Sequence, residues 1–197
     1  MMTKTQEQIL QLLLSQPEER FSIRRIARML KKSYTLTYNN LQVLLKQRIV
    51  EKQAVPPAQM IRLNEQAPTS IFIDIERKRT EAFLEQHSWI KLYLNDVLKM
   101  ATPFFIMLVF GSYAKGTETK ASDLDLLIIA PTREDIPALE QTTQQYTRVK
   151  KGIMVIDGQG FIEMIKNPKT LNVGNEAKKY HIILYGAEPY YQLLKRA

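Results

Sequence analysis

The chain has 197 residues, 45% hydrophobic and 24% charged, a globular composition long enough for one large domain or two small ones with real cores. It has no cysteine, which excludes a disulfide framework and thiolate metal sites. Its net charge of +8 is uneven: residues 1–65 hold 11 Lys/Arg against 5 Asp/Glu, residues 66–103 hold 5 against 5, and residues 104–197 hold 12 against 10. A polyanion partner is therefore expected for the N-terminal third.

The longest apolar runs, "FFIMLVF" and "LDLLIIA", are strand-sized and too short to span a bilayer, and "MMTKTQEQIL" lacks the apolar core of a signal peptide. A cytosolic protein without membrane contact is expected. In chain order, Thr5–Ser15 reads as a helix with Ile9, Leu12 and Leu13 on one face. Ser22 is placed to cap a helix over Ile23–Leu30, whose apolar stripe is Ile23, Ile26, Ala27 and Leu30. Arg24, Arg25 and Arg28 point elsewhere. After a "KKS" turn a third helix runs from Tyr34 to Gln47, apolar at Leu41, Leu44 and Leu45, with Thr35, Tyr38, Asn39 and Gln42 on the opposite stripe. "RIVEKQAV" and "QMIRLN" flank Pro56-Pro57 and read as a hairpin.

Three short helices and a hairpin over residues 5–64 resemble a winged helix-turn-helix. The departure is Arg48, where such modules often carry Gly after the recognition helix. The resemblance implies that Thr35, Tyr38, Asn39 and Gln42 face the major groove of double-stranded DNA. Arg24, Arg25, Lys31 and Lys32 would contact phosphates.

From Pro68 to Met100 the chain reads as one or two helices, with Ile90, Leu94, Val97 and Leu98 at helical spacing toward the sheet that follows. His87 and His181 have no partner at ligand spacing in the sequence and read as structural. Phe105–Phe110 is a wholly apolar strand, expected to be buried on both faces. Gly111 then allows a tight turn, and Ser112 is placed to cap a helix whose free N–H groups suit phosphate. A Walker A loop is excluded because Thr117 stands where "GSYAKGT" would need Lys. Asp123 and Asp125 follow, two apart in a strand and so on one face. Such paired carboxylates need a cation or donors, and hard oxygen ligands suit Mg²⁺ held with substrate phosphates.

Gly111-Ser112, ten residues, then Asp123-Leu124-Asp125 between apolar flanks resembles the signature of the polymerase-beta-like nucleotidyltransferases. The minimal nucleotidyltransferases of prokaryotes are most similar, over residues 103–195, including "LYGAEPYYQLL". The resemblance implies that Gly111 and Ser112 hold a nucleoside triphosphate and that Asp123 and Asp125 hold Mg²⁺ as the catalytic pair. A hydroxyl would attack the α-phosphate with loss of pyrophosphate, assisted by two metals. The family's third carboxylate should fall near Gly152, which has no side chain. Asp157, five residues on, would point to the other face of a regular strand, and a bulge or another register could bring it back.

The expected architecture is α+β: a winged helix-turn-helix at 1–66, a helical connector at 67–102, and a mixed-sheet nucleotidyltransferase domain with flanking helices at 103–197. The expected function is Mg-dependent transfer of a nucleoside monophosphate from an NTP to a hydroxyl, fused to a DNA-binding module. Some minimal nucleotidyltransferases are antitoxins that modify a ribonuclease toxin, so the resemblance also implies such a protein partner. The alternative is a catalytically impaired, nucleotide-binding transcriptional regulator or antitoxin-like protein.

Overall fold

A computed structural model describes residues 2–55, 58–100, 104–145 and 150–196; the Pro56-Pro57 hairpin tip and the 102/103 boundary expected above lie outside the described residues. The chain divides into two compact units, residues 1–75 and 76–197. The division falls within a helix, so most of the expected connector lies in the second unit.

In the first unit, α1 (Lys4–Ser15) opens on a capping box in which the Thr3 side chain accepts from the Gln6 amide and Gln6 returns the bond. Ser22 and Ser33 cap α2 (Ile23–Met29) and α3 (Tyr34–Lys46). Both helices end on a left-handed residue that is not glycine: Lys31 at φ 52° and Arg48 at φ 56°. The Arg48 amide bonds to Leu45 O and the Ile49 amide to Leu44 O, so arginine fills the helix-ending position where glycine is usual. Strands β1 (Val50–Val55) and β2 (Ala58–Leu63) pair antiparallel, with Glu51 opposite Arg62 and joined to it by an ion pair. Ile9, Leu10, Leu13, Phe21, Ile26, Leu41, Leu44 and Ile61 are buried and form the apolar core residues of this unit.

Helices α4 (Thr69–Gln86) and α5 (Ser88–Met100) fill the interval read as helical. The second unit is built on a four-stranded mixed sheet of order β5-β4-β3-β6. Strand β3 (Ile106–Phe110) leads into the short α6 (Gly111–Lys115), and a loop returns to β4 (Leu124–Ala130), antiparallel to β3. A 3₁₀ turn (Arg133–Asp135) and α7 (Ile136–Gln144) precede β5 (Lys151–Asp157), which pairs parallel with β4. Then α8 (Gly158–Ile165) and α9 (Val173–Lys179) lead to β6 (Ile182–Tyr185), antiparallel to β3, and α10 (Ala187–Leu194).

Alternate residues of β3 and β4 feed two cores, which is why their sequences are continuously apolar. Met107, Val109, Leu124, Leu126 and Ile128 cluster with Phe83, Ile90, Tyr93, Leu94 and Val97 of α4 and α5. Ile106, Leu108, Leu127, Ile129 and Ile183 cluster with Phe161, Ile165, Ala177 and Tyr190 on the other side. Leu98 departs from its expected role: it is 36% exposed, whereas Ile90, Leu94 and Val97 are buried.

A buried polar group ties α4 into this unit. Arg79 donates to Glu76 Oε2 (2.6 Å) and to the His181 carbonyl (2.8 Å), while Tyr191 donates to Glu76 Oε1 (3.0 Å). Burial pushes the Glu76 carboxyl up against the pull of Arg79. His181 is fully buried as expected of a structural residue, its Nδ1 bonded to the Ala177 carbonyl, and burial pulls it down to about 3.

Candidate functional site

The carboxylates meet the Gly-Ser turn where β3, β4 and β5 lie side by side. Asp125 is the second residue of β4, with Phe110 opposite it on one side and Gly152 on the other. Asp123 stands one residue before the strand, not within it, and is exposed, whereas Asp125 is half-buried. The Asp123 charge reaches Asp125 all the same. Burial first, then Asp123, raise the Asp125 carboxyl above its ordinary range, and Lys115 opposes them. Lys115 is the last residue of α6, with its Nζ 5.3 Å from the centre of the Tyr180 ring.

Gly111 has φ +67°, and a Cβ placed on it would fall 2.1 Å from Asp125 Oδ2. The turn therefore needs glycine twice over, for its left-handed backbone and to leave room for the carboxylate. This turn also corrects the expected role of Ser112. The helix starts at Gly111, its N-cap is the extended Phe110, and no side chain caps it. Ser112 lies inside the first turn, where its carbonyl accepts from the Gly116 and Thr117 amides.

Asp157 does not rejoin this site. The β4–β5 register runs unbroken from Leu124↔Lys151 to Ala130↔Asp157, without a bulge. Asp157 thus sits five residues from Gly152, at the far end of the strand. It caps α8 through the Gly160 amide (2.7 Å) and pairs with Arg133 (3.1 Å). Gly152 itself lies directly beside Asp125, and a Cβ there would meet Asp125 Oδ1 at 3.0 Å. Among the described residues no group of three or more His, Cys, Asp or Glu is arranged to hold a metal.

Residues 106–187 match the family model of the nucleotidyltransferase domain. No curated protein and no solved structure matches the chain. The match spans β3 to the start of α10 and takes in Gly111, Ser112, Asp123, Asp125 and Gly152. It supports a nucleotidyltransferase domain with nucleotidyl transfer as its general chemistry. Such domains generally use divalent metals, and the donor set of this one suits a single hard cation completed by phosphate oxygens. The half-buried, charge-crowded Asp125 carboxylate is what such a cation would relieve.

The nucleotidyltransferase match leaves the N-terminal unit untouched. There Arg24, Lys31, Thr35, Tyr38 and Asn39 are exposed, and Lys32 is half-buried. Arg25 is engaged locally, paired with Glu19 at 3.0 Å and stacked 4.7 Å over Phe21. Gln42 is half-buried and lines a recess with Leu45, Arg48 and Val50, its Nε2 buried without a hydrogen-bond partner. Tyr34 and Tyr38 stack at 6.1 Å on the exposed side of α3.

Sequence reasoning missed one pairing near the nucleotidyltransferase site. His87, read as partnerless, has its Nε2 3.1 Å from Glu118 Oε1 in the loop that leads to Asp123. The two residues are 31 apart in sequence and no local pattern links them. Among the described residues no helix is long and apolar enough to cross a membrane.

Proposed function

We propose that the second unit is a Mg²⁺-dependent nucleotidyltransferase that moves a nucleoside monophosphate from an NTP to a hydroxyl, and that the first unit is a winged helix-turn-helix that binds duplex DNA. The observation that carries the first half is the Asp125 carboxylate set against Gly111 and beside Asp123 within the nucleotidyltransferase match. Asp123 and Asp125 hold the cation, which when bound neutralises charge on the triphosphate. The α6 turn at Gly111 and Ser112 presents backbone N–H groups and a side-chain hydroxyl to the phosphates. The acceptor oxygen forms a bond to the α-phosphorus, the bond to the β-phosphate side breaks, pyrophosphate leaves, and the hydroxyl proton passes to water.

Asp123→Asn is the direct test, because Asp123 is exposed and its change removes charge while keeping shape. Calorimetry should show metal-dependent nucleotide affinity falling at least about tenfold, or about 1.4 kcal/mol. Stability should stay within about 0.5 kcal/mol. Equal affinity in the variant sinks the assignment.

Support for the DNA-binding half is the order of three helices and an antiparallel hairpin, together with the +6 balance of residues 1–65. Thr35, Tyr38 and Asn39 lie on the exposed side of α3, where they would read the major groove, and Gln42 follows at the recess. Arg24, Lys31 and Lys32 would meet phosphates, and Arg25 would do so in competition with Glu19.

Gly152 favours a second reading. With no carboxylate opposite Asp125, the site holds a nucleotide and transfers slowly, and the chain acts as a nucleotide-sensing DNA-binding regulator or antitoxin-like protein with a partner such as a ribonuclease toxin. Radiolabel transfer from α-labelled nucleotides separates the readings: vigorous wild-type transfer with no partner present removes the second.

A further inference from the structure

The loop from Gly116 to Ser122 carries the chain from the Gly-Ser turn to Asp123, and it is closed largely on itself. The Thr119 amide donates to Ser122 Oγ (2.9 Å), the Ser122 amide to Thr119 O (3.0 Å), and the Ala121 amide to Thr119 Oγ1 (3.3 Å). At its start the Thr117 amide bonds back to Ser112 O (3.0 Å). The side-chain link from this loop to the helices is Glu118 to His87.

That link is built into the packing. The two side chains are 26% and 13% exposed. The His87 ring lies 4.4 Å from the Phe83 ring of α4 and 5.5 Å, edge-on, from Tyr113 of α6, which in turn meets Trp89 of α5 at 6.2 Å. Both ring nitrogens face oxygen acceptors: Nδ1 is 2.9 Å from the Phe83 carbonyl and Nε2 3.1 Å from Glu118 Oε1. A neutral imidazole carries one N–H and can serve only one of them; the imidazolium serves both. Glu118 Oε2 is buried without a hydrogen-bond partner, and Oε1 meets the His87 ring.

We propose that His87 is a positioning residue of the nucleotide site, acting through Glu118 to hold the Gly116–Ser122 loop and so to set where Asp123 stands. This rests on the reading of Asp123 and Asp125 as the cation–nucleotide ligands. The titratable groups facing His87 are the Glu118 carboxylate from the loop and the Tyr113 phenol from α6; α4 faces it with the Phe83 carbonyl and ring. The Glu118 backbone amide and then the His87 hydrogen bond hold the Glu118 carboxyl below its ordinary range, while burial and the Glu118 charge raise the Tyr113 phenol. The latch is the contact of His87 Nε2 with Glu118 Oε1, which fixes the middle of the loop where α4 gives way to α5. In His87→Gln the side-chain amide keeps an N–H that can donate to Glu118 without the imidazole ring.

The test uses the full chain, with Mg²⁺ and the α,β-methylene analogues of the four ribonucleoside triphosphates as probes. In His87→Ala, calorimetric affinity should fall about five- to tenfold, and trypsin cleavage after the exposed Lys120 in the loop should quicken, with the far-UV spectrum unchanged. His87→Gln should recover affinity and resistance to cleavage relative to His87→Ala, and Glu118→Ala should lose as much as His87→Ala with no further loss in the double variant; lost packing alone would not produce this pattern. Wild-type binding with His87→Ala unchanged in affinity and cleavage overturns the latch and leaves the nucleotide reading standing. So does a His87→Gln variant that recovers nothing. No wild-type affinity for any of the four overturns the nucleotide reading, and the latch with it.

Discussion

Replacing Gly152 by aspartate probes the site directly beside Asp125. A Cβ at Gly152 would lie 3.0 Å from Asp125 Oδ1 and, among the described residues, meet nothing else within 4 Å apart from its chain neighbours. Adjacent strands lie about 4.8 Å apart, so two ionised carboxylates there repel by about 3 kcal/mol at an effective dielectric of about 20. Partial solvation cuts this to about 1–2 kcal/mol. In a chelator, Gly152→Asp should melt below wild type by that amount. With Mg²⁺ the sign reverses, because three carboxylates bind the cation more tightly than two. At about a hundred times its dissociation constant, the ion returns about 2.7 kcal/mol. Gly152→Ala supplies the steric contribution alone, without added Mg²⁺ response. Thermal melts with and without Mg²⁺ read the linkage, and radiolabel transfer reads the chemistry, where a positioned carboxylate typically contributes about 10²–10⁴-fold. If Gly152→Asp melts like wild type in chelator and gains nothing extra from Mg²⁺, positions 125 and 152 do not share a cation site. Wild-type transfer as fast as the variant's would show that the site lacks no oxygen.

Neutralising Arg24, Lys31 and Lys32 together should weaken duplex binding and lower the salt slope by about 0.9 per lost phosphate contact, measured by anisotropy from low to high salt; no salt-sensitive affinity in the intact protein would remove DNA as the partner. His181 has its pKa lowered from 6.5 to about 3 in the fold, so its contribution to stability is whole above about 6.5 and is lost as pH falls toward 3, with a slope of about 1.4 kcal/mol per pH unit. Glu76, raised by burial, acts with the opposite sign; the difference between wild type and His181→Asn in denaturant melts across pH therefore isolates the histidine, and parallel curves would refute it. Arg79→Ala leaves the Glu76 carboxylate buried without its cation and should cost about 3–5 kcal/mol in urea unfolding; a loss below about 1 kcal/mol would mean that Tyr191 alone satisfies it.

Short-range patterns carried the elements. The Ser22 cap of α2, the hairpin, and the apolar strands β3 and β4 follow from periodicity and capping that a few residues suffice to display. Parity put Asp157 on the other face only for a regular strand and left a bulge or another register open; the unbroken β4–β5 register supplies the regularity. Three features depended on contacts remote in sequence. Ser112 lost its expected cap position because Gly111 takes a positive φ and starts the helix itself, a choice driven by the Asp125 carboxylate 14 residues on. Leu98 sits at helical spacing from Leu94, yet it is 36% exposed beside the buried Val97, a difference set by what packs on α5 and not by its own periodicity. The His87–Glu118 pair required the α6 loop to be folded back onto the end of α4 before either residue had a partner.

The Gly-Ser turn stands ahead of the two aspartates for a reason that the geometry supplies. Of the two aspartates, Asp125 is the one set into a strand, and each of its oxygens abuts a glycine: Oδ2 occupies the space where a Gly111 Cβ would be, and Oδ1 faces the bare backbone of Gly152. The side chain is thus accommodated by α6 and β5 at once, while desolvation and Asp123 both disfavour its charge. A cation would offset that cost. Gly152 then has two physical consequences that oppose each other. It gives the Asp125 carboxylate space, and it withholds a third oxygen from the cation. On the proposed function, binding would gain from the first and catalysis would lose by the second, so affinity for Mg²⁺–nucleotide and rate of transfer would be set by different residues in this site. Affinity should follow Asp123 and Asp125, and rate should follow position 152.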